Sequence, residues 1–348
     1  MKPKLSDIAD ISEVSVSTVS LVLSGKGRIS DDVRRKVWEN ARSLGYSNSR
    51  RRSVDAPEKT NSVGILISID EIWGFIWGFV RPIIDEIEGS LRRDGRNTIL
   101  IPIRRSSSVE EILGKIVQSR TEAVISLHYG NGRLFQMLEE LDIPTIVVMN
   151  NNYQDRFYSV LVDDIQCAFE GTRHLITLGH TRLAYVECER PDLPVLTNDR
   201  FFGFRKAIDE AGLQVPDTHV LRFDLNDMES LTTALRGWFN EAPGLRPTGI
   251  FCLDDDIGVR VITVLKSLGV SVPQDVSIVA PGDVLDYSQN HIPKITTMRI
   301  NTAYMGKIVY QMLMNRLEHE PEDLHVLKVI HQLMKRETTG APPGSGER

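Results

Sequence analysis

Residues 5–23 read LSDIADISEVSVSTVSLVL, and the spacing of apolar residues there decides how the chain begins. Leu5, Ile8 and Ala9 recur at helical intervals, with Ser6 placed to cap the first turn and Asp7 adding negative charge to it. Ser12-Glu13-Val14-Ser15 makes a tight connection. Ser15 can then cap a second helix that gathers Val16, Val19, Val22 and Leu23 on one side and leaves Ser17, Thr18, Ser20 and Leu21 on the other. Two short helices joined by a tight turn meet the requirements of a helix-turn-helix. The same pattern also suits an ordinary helical hairpin opening a globular domain. Small hydroxyl side chains facing outward would let the second helix enter a DNA major groove.

Working outward, Ser30–Leu44 (SDDVRRKVWENARSL) spells a third amphipathic helix. Ser30 stands at its cap, Asp31 and Asp32 in its first turn, and Val33, Val37, Ala41 and Leu44 on one face, with Gly45 past its end. Residues 47–61 (SNSRRRSVDAPEKTN) are polar and read as a linker.

From Ser62 onward strands and helices alternate. Val63–Ile69 is a continuous apolar run that suits a buried parallel strand. Strands are expected at 97–103, 123–127, 144–149, 159–163, 183–187, 219–223, 249–253 and 277–280. Helices are expected at 80–91, 109–119, 132–141, 165–178, 199–211, 228–239 and 256–268. Such alternation gives doubly wound α/β domains, and two halves in tandem imply two lobes with a ligand cleft between them.

Composition sharpens the division. The 348-residue chain has a formal charge of −6. Residues 1–60 hold 12 Lys+Arg against 8 Asp+Glu, a net of +4, whereas the remainder holds 29 against 39, a net of −10. A basic head on an acidic body fits a head that meets phosphate. Cys167, Cys188 and Cys252 have neither metal-ligand spacing nor a disulfide pattern, so a reduced cytoplasm is the simplest reading. No apolar run is long enough for a membrane span, and Lys2 and Lys4 are not followed by the apolar core of a signal peptide. No nucleophile elbow, Gly-rich phosphate loop or convergent acid–base pair points to an enzyme, and no cofactor or metal is expected.

One family unites these features. Asp7-Ile8-Ala9, Val14-Ser15, Thr18-Val19-Ser20 and the Val37…Leu44-Gly45-Tyr46 end match the head of the lac repressor family of bacterial transcription regulators. Further matches run through Val162-Asp163-Asp164, Gly171-Thr172…His174-Leu175-Ile176…Leu178-Gly179-His180-Thr181-Arg182, Arg200…Gly203-Phe204, Val272-Pro273-Asp275-Val276-Ser277 and Lys335-Arg336-Glu337-Thr338-Thr339. The chain thus resembles that family over nearly its whole length. The resemblance implies a three-helix helix-turn-helix head at 1–46, a hinge at 47–61 and a periplasmic-binding-protein-like body at 62–340. Lobe 1 would hold about 62–160 and 291–325, lobe 2 about 161–290 and 326–340, and 341–348 would be a flexible tail. It also implies a homodimer on a near-palindromic operator. The leading reading is a cytoplasmic repressor whose operator affinity is set by a small, sugar-like effector. The alternative is a sugar-binding protein, cytoplasmic or serving transport.

For DNA, the resemblance puts Val16, Ser17 and Leu21 at base edges, where Leu21 can offer only apolar contact, for example to a thymine methyl. Ser15, Thr18, Ser20 and Ser24 are phosphate partners, with Lys4, Leu5 and Arg34 as helpers. The family's hinge lays a leucine into the minor groove, but here the expected position is Asp55. Either Val54 acts as a weaker wedge or Arg50, Arg51 and Arg52 enter a narrow minor groove.

For the effector, the loop after the first body strand carries Trp73, Phe75, Trp77 and Phe79. Trp73 and Phe75 are the ligand-stacking candidates, while Trp77 and Phe79 suit packing in a core or a dimer interface. Arg200, three residues before Gly203, matches the family's effector-binding arginine, although a surface salt bridge near Asp199 would also account for it. Asp254-Asp255 follows a strand where relatives carry Asn-Asp, which makes Asp255 a candidate. The usual last-strand aspartate falls on Gly282, leaving Asp283 as its substitute. His128, Asn150 and Leu225 end other strands. Asp254-Asp255-Asp256 could suggest a metal site, but a helix N-terminus explains acids there.

Overall fold

The computed structural model describes residues 5–23, 29–44, 61–69, 75–189, 194–319 and 323–344. The head comprises α1 (Leu5–Ser12), α2 (Val16–Leu23) and α3 (Asp31–Ser43). Ile8, Ala9, Val19, Val22, Val37 and Ala41 are buried in one small core, with Val14, Leu23, Trp38 and Leu44 packed around it. Ser15 caps α2: its hydroxyl accepts the Thr18 N–H at 3.0 Å. Glu13 turns the chain with φ 54°. That left-handed conformation is uncommon for a side chain of this size. α3 holds the turn from both sides. Lys36 pairs with Glu13 at 2.6 Å, and the Asn40 amide donates to the Ser12 hydroxyl at 3.0 Å.

Two expectations for the head are corrected. Ser6 is not the cap of α1: it lies inside the first turn, after Leu5, and its hydroxyl donates to Asp7 at 3.3 Å. Val16 is 47% exposed and does not join the apolar face. The eight residues of α2 make only about two turns, and the core closes over Val19 and Val22.

The body continues as β1 (Ser62–Ser68), α4 (Phe75–Arg93), β2 (Asn97–Ile103), α5 (Val109–Gln118), β3 (Ala123–Leu127), α6 (Gly132–Glu140), β4 (Thr145–Val148) and β5 (Tyr158–Val162). Then come α7 (Asp164–Thr177), β6 (Leu183–Glu189), α8 (Pro194–Glu210), β7 (Val220–Asp224), α9 (Met228–Asn240), β8 (Gly249–Cys252) and α10 (Asp255–Ser267). The last elements are β9 (Ser277–Gly282), β10 (Thr296–Arg299), α11 (Thr302–Glu318), β11 (Val326–Val329) and β12 (Gln332–Met334). The first sheet has the order β11-β5-β4-β3-β1-β2, and the second β12-β10-β9-β8-β6-β7. β1 runs parallel to both β2 and β3, with Val63 opposite Thr98 and Ala123. β6 stands likewise between β7 and β8. Each sheet therefore reverses its winding beside one strand, and in open α/β sheets ligands bind beyond the carboxyl ends at such a reversal. None of the described helices is long and apolar enough to cross a membrane.

Strand membership moves two of the expected lobe boundaries. Thr296–Arg299, expected in lobe 1, is β10 of the second sheet, parallel to β9 with Thr296 opposite Val279. Val326–Val329, expected in lobe 2, is β11 of the first sheet, parallel to β5 with Val326 opposite Ser159. The second sheet is secured by the end of the chain. The Thr338 hydroxyl accepts the Thr296 N–H at 2.9 Å and donates to the Ile278 carbonyl at 2.8 Å. The ring of His180 bridges the Thr248 hydroxyl and the Gly340 carbonyl, each at 3.0 Å. These bonds give the Gly179-His180-Thr181-Arg182 and Thr338-Thr339 matches a structural role.

α7 and α8 pack unusually closely, and Gly203 is the reason. A Cβ at that position would stand 2.1 Å from the Ile165 carbonyl oxygen and 2.9 Å from the Ala168 Cβ. Gly203→Ala must push the helices apart, so it should destabilise the chain by about 1–3 kcal/mol, the usual cost of overpacking. Urea unfolding checks this, and an unchanged midpoint would contradict the close approach.

Candidate DNA-reading helix and ligand site

On α2, Val16, Ser17 and Leu21 are exposed, Leu21 at 38%. Large apolar side chains left in the open on so short a helix leave it a readable outer face. Ser15 is already committed. Besides capping, its hydroxyl lies 2.7 Å from that of Ser17 and 2.8 Å from that of Thr18. Thr18 is half-buried, as are Leu5 and Arg34. Ser20 belongs to α2 by its backbone. Lys4, Ser24, Arg50, Arg51, Arg52, Val54 and Asp55 lie outside the described residues.

The second sheet gathers the ligand candidates at the carboxyl ends of β8 and β9. Because Gly203 lets α8 close on α7, Arg200, one turn earlier, reaches the start of α7. Its Nε donates to Asp164 Oδ1 at 2.8 Å, and its Nη1 donates to the Leu253 carbonyl just past β8. Both side chains are buried. Burial pushes the Asp164 carboxyl up, and the Arg200 charge opposes this. The pair is therefore not the surface bridge to Asp199, which instead accepts from the Asn151 amide at 2.6 Å.

The three consecutive acids divide their work. Asp254 caps α10, accepting the Ile257 N–H at 2.9 Å. Asp256 pairs with Arg260 one turn on, at 3.0 Å. Asp255 is fully buried. Its Oδ2 accepts the Val284 N–H at 3.1 Å and the Tyr287 hydroxyl at 3.2 Å, while Oδ1 has no protein partner. Burial, with the charge of Asp254 beside it, pushes the Asp255 carboxyl up to about 8. Among the described residues no group of three or more His, Cys, Asp or Glu is placed to hold a metal ion.

Gly282 explains the missing last-strand aspartate. Its φ is +132°, and a Cβ there would stand 2.4 Å from Asp255 Oδ1. The Asp255 carboxylate occupies the space in which a side chain at 282 would begin. Asp283 does not replace it freely, and that expectation is corrected. Its Oδ1 accepts from Arg336 at 2.5 Å and from the Thr297 hydroxyl at 3.0 Å, and Oδ2 accepts from Arg299. Asp283 is thus an anchor between two arginines. Arg336 also lies 4.1 Å over the Tyr287 ring.

The remaining candidates are scattered. His128 follows β3 with φ 58°. Asn150 accepts the Asn152 N–H at 3.1 Å and opens a short turn. Leu225 packs, half-buried, against the core of the second sheet. Phe75 begins α4, Trp77 is 41% exposed and so outside any core of this chain, and Trp73 lies outside the described residues. Sequence reasoning missed the site roles of Asp164, Tyr287 and His331. Asp164 carried a signal, since it follows a strand directly and is part of the Val162-Asp163-Asp164 match. His331 has two buried ring nitrogens without a protein partner. Burial and the nearby Arg200 charge push it down to about 3, so it is neutral. It lines a cavity of about 810 Å³ together with Asp283, Arg299, Asn301, Thr302 and Gln332.

Comparison with known proteins places both parts. Residues 4–49 match the model for bacterial regulatory proteins of the lacI family, and residues 172–339 match a periplasmic binding protein-like domain. The chain thus carries a lacI-family head and a periplasmic binding protein-like domain. The HTH-type transcriptional regulator RegA of Clostridium saccharobutylicum is 27% identical over 342 residues, covering 97% of this chain and all of the relative. The HTH-type transcriptional repressor PurR of Photorhabdus laumondii is 26% identical over 343 residues, covering 95% of each chain. Among solved structures, the transcriptional regulator CelR in complex with cellobiose is 26% identical with a TM-score of 0.68, covering 97% of this chain and all of that one. The lac repressor dimer bound to operator, 21% identical with a TM-score of 0.65, shares the fold and covers 98% of this chain and all of that one.

The buried acid gives a pH signature. Asp255 rises from 3.8 in the unfolded chain to about 8 in the fold, so the native state holds the extra proton between those values. Its contribution to stability is full below about pH 4 and is lost as pH rises through about 8. Asp255→Asn should therefore melt increasingly above wild type as pH goes from about 4 to 8. Thermal midpoints of the two proteins across that range check it, and parallel profiles would refute the buried, protonated carboxyl.

Proposed function

We propose that this protein is a ligand-controlled transcriptional repressor that binds a near-palindromic operator as a homodimer in the cytoplasm, without catalytic activity. The observation that carries the reading is the pairing of an exposed Val16-Ser17…Leu21 face on a capped second helix with a buried Arg200–Asp164 pair at the carboxyl ends of a binding-protein-like sheet. The head reads DNA: Val16, Ser17 and Leu21 meet base edges, and Thr18, Ser20 and Ser24 meet phosphates, with Lys4, Leu5 and Arg34 beside them. Ser15 serves first as the cap. Arg50, Arg51 and Arg52, or Val54, engage the minor groove next to the head. The body binds the effector through Arg200, Asp255 and His331, with Trp73 and Phe75 as stacking partners. A sugar-like compound fits because a neutral imidazole and a protonated carboxyl both donate and accept, as hydroxyl groups do. Ligand changes operator affinity only if it binds the two conformational states unequally.

Gel shifts of the full chain with DNA from upstream of its own gene test this. The double change Val16→Ala, Leu21→Ala should weaken the specific complex by roughly 1–3 kcal/mol, about 5- to 150-fold, with little effect on random DNA. Replacing Arg50, Arg51 and Arg52 with Ala should flatten the salt dependence of binding. Arg200→Ala should keep DNA binding but lose its response to the sugar that shifts wild type. Failure to retain any upstream fragment would end the repressor reading; an Arg200→Ala protein that still responds would remove only the effector assignment.

A further inference from the structure

A second cavity, of about 420 Å³, opens at the amino-terminal edge of the second sheet, where β8 starts at Gly249 and β9 at Ser277. The effector candidates lie at the opposite, carboxyl ends of those strands. Arg182, Arg236 and Arg246 line this cavity together with one acid, Asp275. We propose that it is a second ligand site, one that takes an organic phosphomonoester: a phosphate group held by the three arginines, with a ring against the apolar wall.

The arginines are prepared for this. Arg182 Nε donates to the Arg246 carbonyl at 2.8 Å, and Arg246 Nε donates to the Glu241 carbonyl at 2.8 Å. Each backbone bond fixes one edge of a guanidinium and leaves its terminal nitrogens to donate elsewhere. Among the described residues none of the three forms an ion pair with a carboxylate. That sets them apart from Arg200, Arg260, Arg299 and Arg336, which are all paired with acids. Asp275 is turned to the backbone, with Oδ2 accepting the Ser271 N–H at 2.8 Å.

Three guanidinium groups against one carboxylate leave a net positive pocket in a body that is acidic overall. Arginine forks fit phosphate oxygens two at a time, and a doubly charged phosphomonoester answers the charge excess. Phe239, Pro243, Pro247 and Leu268 complete the lining, so a bare inorganic anion would leave the apolar wall unused. The volume falls within the usual range for small-molecule sites.

Calorimetry on the full chain tests the site, with adenosine 5′-monophosphate and glucose 6-phosphate as probes and adenosine, glucose and inorganic phosphate as controls. At least one phosphomonoester should bind at least tenfold tighter than both its unphosphorylated parent and inorganic phosphate. The nucleotide and the sugar phosphate together show which ring the wall prefers. Arg236→Ala, on the exposed face of α9, should weaken binding at least tenfold without altering the thermal midpoint of the free protein. Arg173→Ala, which removes an exposed arginine of α7 that does not line this cavity, should leave binding at wild-type strength. No phosphomonoester binding, binding equal to inorganic phosphate, or binding kept at wild-type strength in Arg236→Ala would each overturn the proposal. The operator-binding reading is unaffected by any of these results.

Discussion

An arginine taken out of water needs its counter-charge in contact, and the contact between Arg200 and Asp164 sets the geometry of the body's second sheet. Burying two charges is costly and is recovered only with good geometry and further hydrogen bonds. Here the Leu253 carbonyl supplies one of them. That ties three elements together: α8 through Arg200, α7 through Asp164, and the end of β8 through Leu253. None of it would reach without Gly203, because any side chain there would run into the Ile165 carbonyl. The arginine and the glycine three residues later are therefore one device. The glycine sets the distance between helices, and the distance allows the ion pair.

The same neighbourhood touches the segments by which the chain passes from one sheet to the other. Asp164 comes two residues after the last residue of β5, a strand of the first sheet, and opens α7. His331 comes two residues after β11, also of the first sheet, and leads into β12 of the second. Asn301 and Thr302 follow β10 of the second sheet, and they line the cavity that His331 lines. On the proposed effector reading, the ligand is held beside these crossing segments. Such a ligand can favour one arrangement of the crossings over another, which is the differential affinity that coupling between distant sites requires.

Much of this was legible in the residues because periodicity is local. The three head helices, the buried runs of β1, β3 and β8, and the α/β alternation all follow from spacing within a few residues. The elements missing from that reading are β10, β11, β12 and α11. The three strands are only three or four residues long, and β10 places two threonines, Thr296 and Thr297, in the interior, where Arg336 donates to the Thr297 hydroxyl and the Thr338 hydroxyl accepts the Thr296 N–H. No apolar pattern announces a strand of that kind. The exchange of roles among Asp255, Gly282 and Asp283 was hidden for a different reason. It depends on a contact between residues 27 positions apart, and a match made position by position cannot show that one acid has filled the space of another.

That exchange also changes what the site can recognise. An aspartate on the last strand would add a charged acceptor. The chain instead offers a carboxyl that burial keeps protonated near neutral pH, with one oxygen lacking a protein partner, and a histidine that burial keeps neutral. The charged groups nearby are already committed: Arg200 to Asp164, and Arg299 and Arg336 to Asp283. What is left is hydrogen-bonding capacity in both directions, and an uncharged molecule with several hydroxyl groups is the kind of partner that can use it. The three arginines at the other edge of the sheet have the opposite character, with charge in excess and, among the described residues, no ion pair to an acid. On the two proposals, the ends of one sheet take ligands of different chemistry: a neutral one where the chain crosses between sheets, and an anionic one away from the crossings.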